Sequence, residues 1–131
     1  KLVTSKLKET QSEVLYSHKT IHRPWGNFTT IQAGPSFKIK CIEVNPLKSL
    51  SLQSHKFRSE HWVVIEGEAE VTYQEKIFRI KTNESTFIAE GEKHRLSNPS
   101  PNKILKIIEV QSGSYLGEDD IERFEDQFGR V

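Results

Sequence analysis

The chain has a single cysteine, Cys41, in 131 residues, so no internal disulfide framework holds it together. It also lacks any apolar run long enough to cross a bilayer or to act as a signal peptide, which leaves the cytoplasm as the expected compartment. Charge of one sign is missing too: 19 lysines and arginines stand against 18 aspartates and glutamates. That balance argues against nucleic acid or an acidic membrane as the partner and leaves a small molecule as the simpler one. No internal repeat, low-complexity segment or glycine-rich phosphate loop after a strand is present. What is there, 34% hydrophobic residues over this length, suits one domain with its own core. The first residue is Lys1 rather than methionine, which points to a start inside a longer polypeptide. Cys41 reads most simply as a small buried hydrophobe.

Residues Leu2 to Tyr16 are polar, with Leu7, Val14 and Leu15 as scattered apolar positions, and residues 1–21 read as a connector or arm ahead of a domain at 22–131. From His22 onward the pattern turns to short β-branched and aromatic runs. They predict strands at Asn27–Gln32, Phe37–Val44, Ser49–His55, His61–Glu66, Glu68–Tyr73, Lys76–Ile80, Ser85–Ile88, Lys93–Ser97 and Ile104–Ser112. Turn residues separate them, among them "AGPS" at Ala33–Ser36, glycines at 67 and 91, and "NPSPN" at Asn98–Asn102. The expected class is all-β, one sandwich or barrel. The end differs: "LGEDDIERFEDQFGR" has acidic residues in a first turn, Ile121, Phe124 and Phe128 at i, i+3, i+7, and Gly129 as a stop. It predicts a short C-terminal helix.

Two polar clusters interrupt the apolar pattern. In "LSLQSHKFRSEHWVVIEG", alternation along a strand gives Gln53 and His55 one face, and Glu60 follows across a short turn, seven residues ahead of Gly67. In "GEKHRLSN", His94 comes three residues after Gly91 and Asn98 four residues later. A lone histidine near a strand end is more often a hydrogen-bonded structural residue than a ligand. The two clusters together resemble the paired sequence motifs of the cupin family, which implies a small β-barrel, the double-stranded β-helix or jelly roll, and a metal held between neighbouring strands.

Further stretches narrow the resemblance. "RPWG" at Arg23–Gly26, "LSLQSH", "RSEHW", "HRLSNP" and "IIEVQSGSYLGEDDIERFEDQFGR" at Ile107–Arg130 resemble the type II phosphomannose isomerase domain over about His22 to Arg130. That domain typically forms the C-terminal part of enzymes that combine mannose-1-phosphate guanylyltransferase with mannose-6-phosphate isomerase. The chain departs from it in three places: His55, Lys56 and Phe57 stand where the family often has three histidines, Leu47 where it often has glycine, and Ala89 where it often has proline.

The resemblance implies a metal site of Gln53, His55, Glu60 and His94, similar to the ligands of type I phosphomannose isomerases, with His61 as the rival to Glu60. A mixed N/O set suits zinc first, and also manganese, cobalt, iron or nickel. Moving a proton between C1 and C2 of a sugar phosphate requires a base, for which Glu109, His61 and Lys40 are the candidates. The phosphate requires cationic donors, and Arg58, Arg95 and Arg123 lie inside the matched motifs, although Arg95 follows His94 and would face away from the metal. Trp25 and Trp62 fit core packing. The resemblance further implies a homodimer and a covalently linked guanylyltransferase domain upstream. The alternative to an isomerase is a non-catalytic module that binds a sugar phosphate or dimerises.

Overall fold

The computed structural model describes residues 18–131. Its strands are β1 (Thr20–Arg23), β2 (Gly26–Ala33), β3 (Phe37–Val44), β4 (Leu52–Ser54), β5 (Arg58–Glu66), β6 (Glu68–Tyr73), β7 (Lys76–Lys81), β8 (Ser85–Ile88), β9 (His94–Ser97), β10 (Leu105–Gly113) and β11 (Glu122–Glu125). They form a six-stranded sheet in the order β1-β2-β3-β10-β5-β8 and a five-stranded sheet in the order β11-β4-β9-β6-β7. Every pairing is antiparallel. Alternate residues of each strand point between the sheets, so each contributes one face to the shared interior.

The inward positions divide by polarity along the strands. On β5 they run Arg58, Glu60, Trp62, Val64; on β10 they run Leu105, Ile107, Glu109, Gln111; on β3 they end Lys40, Ile42, Val44. Antiparallel register aligns these gradients, placing Gln111 opposite Glu60 and Glu109 opposite Lys40. The barrel therefore has an apolar half, with Val44, Val64, Ala69, Val71, Leu96, Leu105 and Ile107 all nearly inaccessible, and a polar half. Gly67 turns β5 into β6 at φ +90°, where an added Cβ would meet the Ile104 carbonyl at 3.2 Å.

Three expectations change. The predicted C-terminal helix is absent: among the described residues no helix forms, and 122–125 are strand β11 against β4. The pairing covers the backbone groups that β4 would otherwise present as an open edge, and a helix of this length has little intrinsic stability to set against that. Of the three apolar positions Phe128 packs on the core, and Gly129 at φ +74° closes a turn with the Asp126 carbonyl rather than ending a helix. At the other end, residues 20 and 21 of the expected connector belong to β1, paired with β2, while residues 1–17 lie outside the described part. Cys41 is half-buried on the outer face of β3, where partial burial raises its thiol pKa, instead of lying in the core.

Candidate metal centre

His55, Glu60 and His94 come from three places in the chain and bring one ligand atom each to within 4.8 Å of one another, all three residues buried. His55 lies just past the end of β4, Glu60 points inward from β5, and His94 opens β9. Gly91, at φ +76°, donates its N–H to the His55 carbonyl at 2.7 Å, so the turn before His94 is tied directly to the other cluster. Gln53 lies opposite His94 in register and, with His55 and Glu60, lines an adjacent cavity.

Each imidazole uses Nδ1 on a backbone carbonyl: His55 on Asp120 at 2.6 Å, His94 on Glu92 at 2.9 Å. Both Nε2 atoms are thus free to turn toward the Glu60 carboxylate, at 3.2 Å for His55 and 3.8 Å for His94. Burial lowers the His94 pKa, outweighing the attraction of Glu60. For Glu60, burial favours the acid form, but the contacts with His55, with His94 and with the Arg58 guanidinium outweigh it and hold the carboxyl well below its ordinary value. A neutral imidazole and an ionised carboxylate with converging lone pairs are the protonation states a divalent cation needs, so the donor set fits one. Arg58 already touches two of these atoms: Nε donates to Glu60 Oε2 at 2.9 Å, and Nη2 lies 3.1 Å from His55 Nε2. Trp62 donates Nε1–H to the other Glu60 oxygen at 2.9 Å, so this core tryptophan also orients a candidate ligand. Sequence reasoning gave Trp62 only a packing role. Its position two residues from Glu60, on the same strand face, was the available signal.

The cavity beside this cluster is lined by, among others, Lys40, Gln53, His55, Arg58, Glu60, Glu109 and Arg123. Glu109 is pushed up to about 8 by burial first and the Glu60 charge second. Gln111 donates an amide hydrogen to it. Lys40 pairs with Glu118 and lies 4.2 Å from the Phe28 ring centre. Arg123 enters from β11, and its Nε is buried with no hydrogen-bond partner among the described residues. Two named candidates lie elsewhere. His61 is exposed on the outer face of β5, edge-on to Phe87, because it neighbours inward-facing Glu60 on an alternating strand. Arg95, for the same reason beside His94, donates Nε–H to the Leu50 carbonyl at 3.1 Å and does not line the cavity. Asn98 is a turn residue: its amide nitrogen bonds the carbonyls of Val44 and Lys103.

Two antiparallel sheets enclosing a polar site at one end define the class, the cupin double-stranded β-helix. The fold aligns with a double-stranded β-helix protein from Klebsiella pneumoniae at TM-score 0.66 and 16% identity, over 84% of this chain and 83% of that one. The signature of the family described as mannose-6-phosphate isomerase C-terminal matches residues 10–126, and the chain belongs to that family. It is 54% identical over 116 residues to alginate biosynthesis protein AlgA of Pseudomonas putida, covering 88% of this chain and 24% of that protein. It is 46% identical to mannose-1-phosphate guanylyltransferase ManC of Salmonella typhimurium, covering 100% of this chain and 27% of that protein. The chain thus spans about a quarter of the length of these curated relatives.

Proposed function

We propose that this chain is a metal-dependent isomerase domain interconverting mannose 6-phosphate and fructose 6-phosphate, and that it works alongside a linked mannose-1-phosphate guanylyltransferase domain in supplying GDP-mannose. The observation that carries the proposal is the buried His55–Glu60–His94 cluster beside a cavity lined by carboxylates and cations, in a chain of this family. His55, Glu60 and His94 would hold the ion with Gln53 as the fourth ligand, and zinc is the first candidate for this N/O set, with manganese, cobalt, iron or nickel also accommodated. When bound, a divalent ion supplies Lewis acidity to the sugar oxygen that gains negative charge.

The chain's own residues supply the remaining work. Glu109, once ionised, takes the proton from one of C1 and C2 and returns it to the other: it lines the cavity beside Glu60, whereas His61 faces outward and Lys40 is engaged by Glu118 in an ion pair. Arg123, with a donor unpartnered in the cavity wall, and Arg58 fit the anionic end of the substrate. Arg95 has no such placement and acts as an exterior strand residue.

The test is His55→Ala and His94→Ala, each checked for fold by circular dichroism. Isomerase turnover falls at least about a hundredfold in both, on the scale of losing an essential electrophilic contact. Full turnover in either variant removes the proposed site. A second reading, a non-catalytic sugar-phosphate-binding module, draws on the contact of Arg58 with two of the candidate ligand atoms, since a guanidinium there competes with an ion. Substrate binding without turnover at any metal concentration would favour it.

The same reading includes a homodimer. The outer face of the six-stranded sheet carries Cys41, Ile108 and Val63 in one cross-strand row and Ile39, Val110, His61 and Phe87 in the next. This mostly apolar surface suits a second copy packed about a two-fold axis.

A further inference from the structure

The two candidate metal-binding histidines are oriented in different ways. His94 is fixed locally, its Nδ1 bonded to a carbonyl two residues away. His55 depends on a segment 65 residues distant, since its Nδ1 lies 2.6 Å from the Asp120 carbonyl oxygen. Asp120 belongs to the crossing from β10 in one sheet to β11 in the other, a strap pinned by Lys38 Nζ on the Leu116 carbonyl at 3.0 Å and by the Lys40–Glu118 ion pair.

The Asp120 side chain grips the same loop twice more. Oδ1 accepts the Lys56 N–H at 2.9 Å, and Oδ2 accepts the Phe57 N–H at 2.9 Å. Burial opposes ionisation of this carboxyl, but the two N–H bonds outweigh it and hold the pKa below its ordinary value. On the far side of the ring, Arg58 Nη2 lies 3.1 Å from His55 Nε2. A guanidinium can only donate, so Nε2 accepts, and the ring proton belongs on Nδ1, where the Asp120 carbonyl receives it. Contacts on both sides of the ring select one tautomer, with the Nε2 lone pair accepting from Arg58 at the side of the ring that faces the ligand cluster.

We propose that Asp120 is the positioning residue for His55, its carboxylate clamping the backbone of residues 56–57 so that the strap carbonyl fixes the ring's tautomer and direction. The consequence for metal affinity rests on the metal reading above; the ring geometry does not. Outer contacts of this kind are worth about 10- to 100-fold in metal affinity. The Phe57 substitution leaves the clamp intact, because only the backbone N–H of residue 57 takes part.

Two measurements on the whole chain test this. In metal-free protein, long-range proton–nitrogen NMR of the histidine rings reads His55 as the Nδ1–H tautomer; in Asp120→Ala its ring signals move, those of His94 hold, and Asp120→Asn, which keeps one acceptor, falls between. Cobalt titration then gives an affinity about 10- to 100-fold weaker in Asp120→Ala, with a changed visible spectrum, while Val71→Ala, destabilised in the apolar half, keeps the parent affinity. His55 signals unmoved in Asp120→Ala overturn the proposal, as does an equal affinity loss in Val71→Ala. A parent chain that binds no cobalt would instead defeat the metal reading, leaving the NMR result to decide the role of Asp120.

Discussion

Phe57 occupies the position where related domains often carry a third histidine, yet its ring is half exposed and edge-on to Tyr115, away from the ligand cluster. The structure groups His55 with Glu60 and His94 with phenylalanine at 57. The resemblance of the two spaced motifs to those of the cupin family made these three residues legible; strand alternation alone gave only which neighbours share a face. Spacing could not reveal Asp120, whose contact with His55 arises from a strap crossing between sheets, whereas Gln111 lies two residues from Glu109 on the same face of β10 and was open to the same alternation argument. Glu109 was named as a base candidate, and its burial beside Glu60 has a consequence for stability. Its pKa rises from 4.5 to about 8 on folding, so between those values the folded chain binds more protons than the unfolded one. Its contribution is therefore fully present below about pH 4.5 and lost as pH rises toward 8. The melting temperature of metal-free protein falls across that window, and Glu109→Gln flattens the fall; an unchanged pH profile in the variant would assign the effect to another group.

The strands were legible because alternation and turn residues mark them, and β3, β6 and β8 match their predicted bounds residue for residue. The helix at the end was not, because three apolar residues at helical spacing carry less weight than an open strand edge waiting for a partner. β11 gains from that pairing the position of Arg123, opposite Gln53 and facing the cavity. The turn before β4 contains a second departure. Leu47 adopts φ +59° and is exposed, a left-handed conformation that costs a leucine about 1–2 kcal/mol. Glycine removes that strain and costs about 0.5–1 kcal/mol in chain entropy. Leu47→Gly therefore raises the melting temperature by a few degrees, read by differential scanning calorimetry; a lower value would show that Leu47 contributes contacts its exposure does not suggest.

At the scale of the whole molecule, one aligned polarity gradient produces both the core and the site: the apolar ends of β3, β5 and β10 pack together, and their other ends meet as Lys40, Glu60, Glu109 and Gln111. The sequence carried this gradient, but only the register shows that the polar ends coincide. The proposed homodimer packs on the outer apolar rows, so Val110→Asp at their centre is expected to leave a monomer in analytical ultracentrifugation while keeping the melting transition cooperative. A parent that sediments as a monomer at every concentration would exclude the self-association. The central claim, a metal-dependent isomerase built on His55, Glu60 and His94, meets its most direct test in one assay. Purified chain is stripped of metal, and zinc, manganese, cobalt, iron and nickel are added back singly while fructose 6-phosphate formation from mannose 6-phosphate is followed. The account predicts no turnover in the stripped protein and its return with at least one ion; full turnover without metal, or silence with every ion in a chain that binds one, would contradict it.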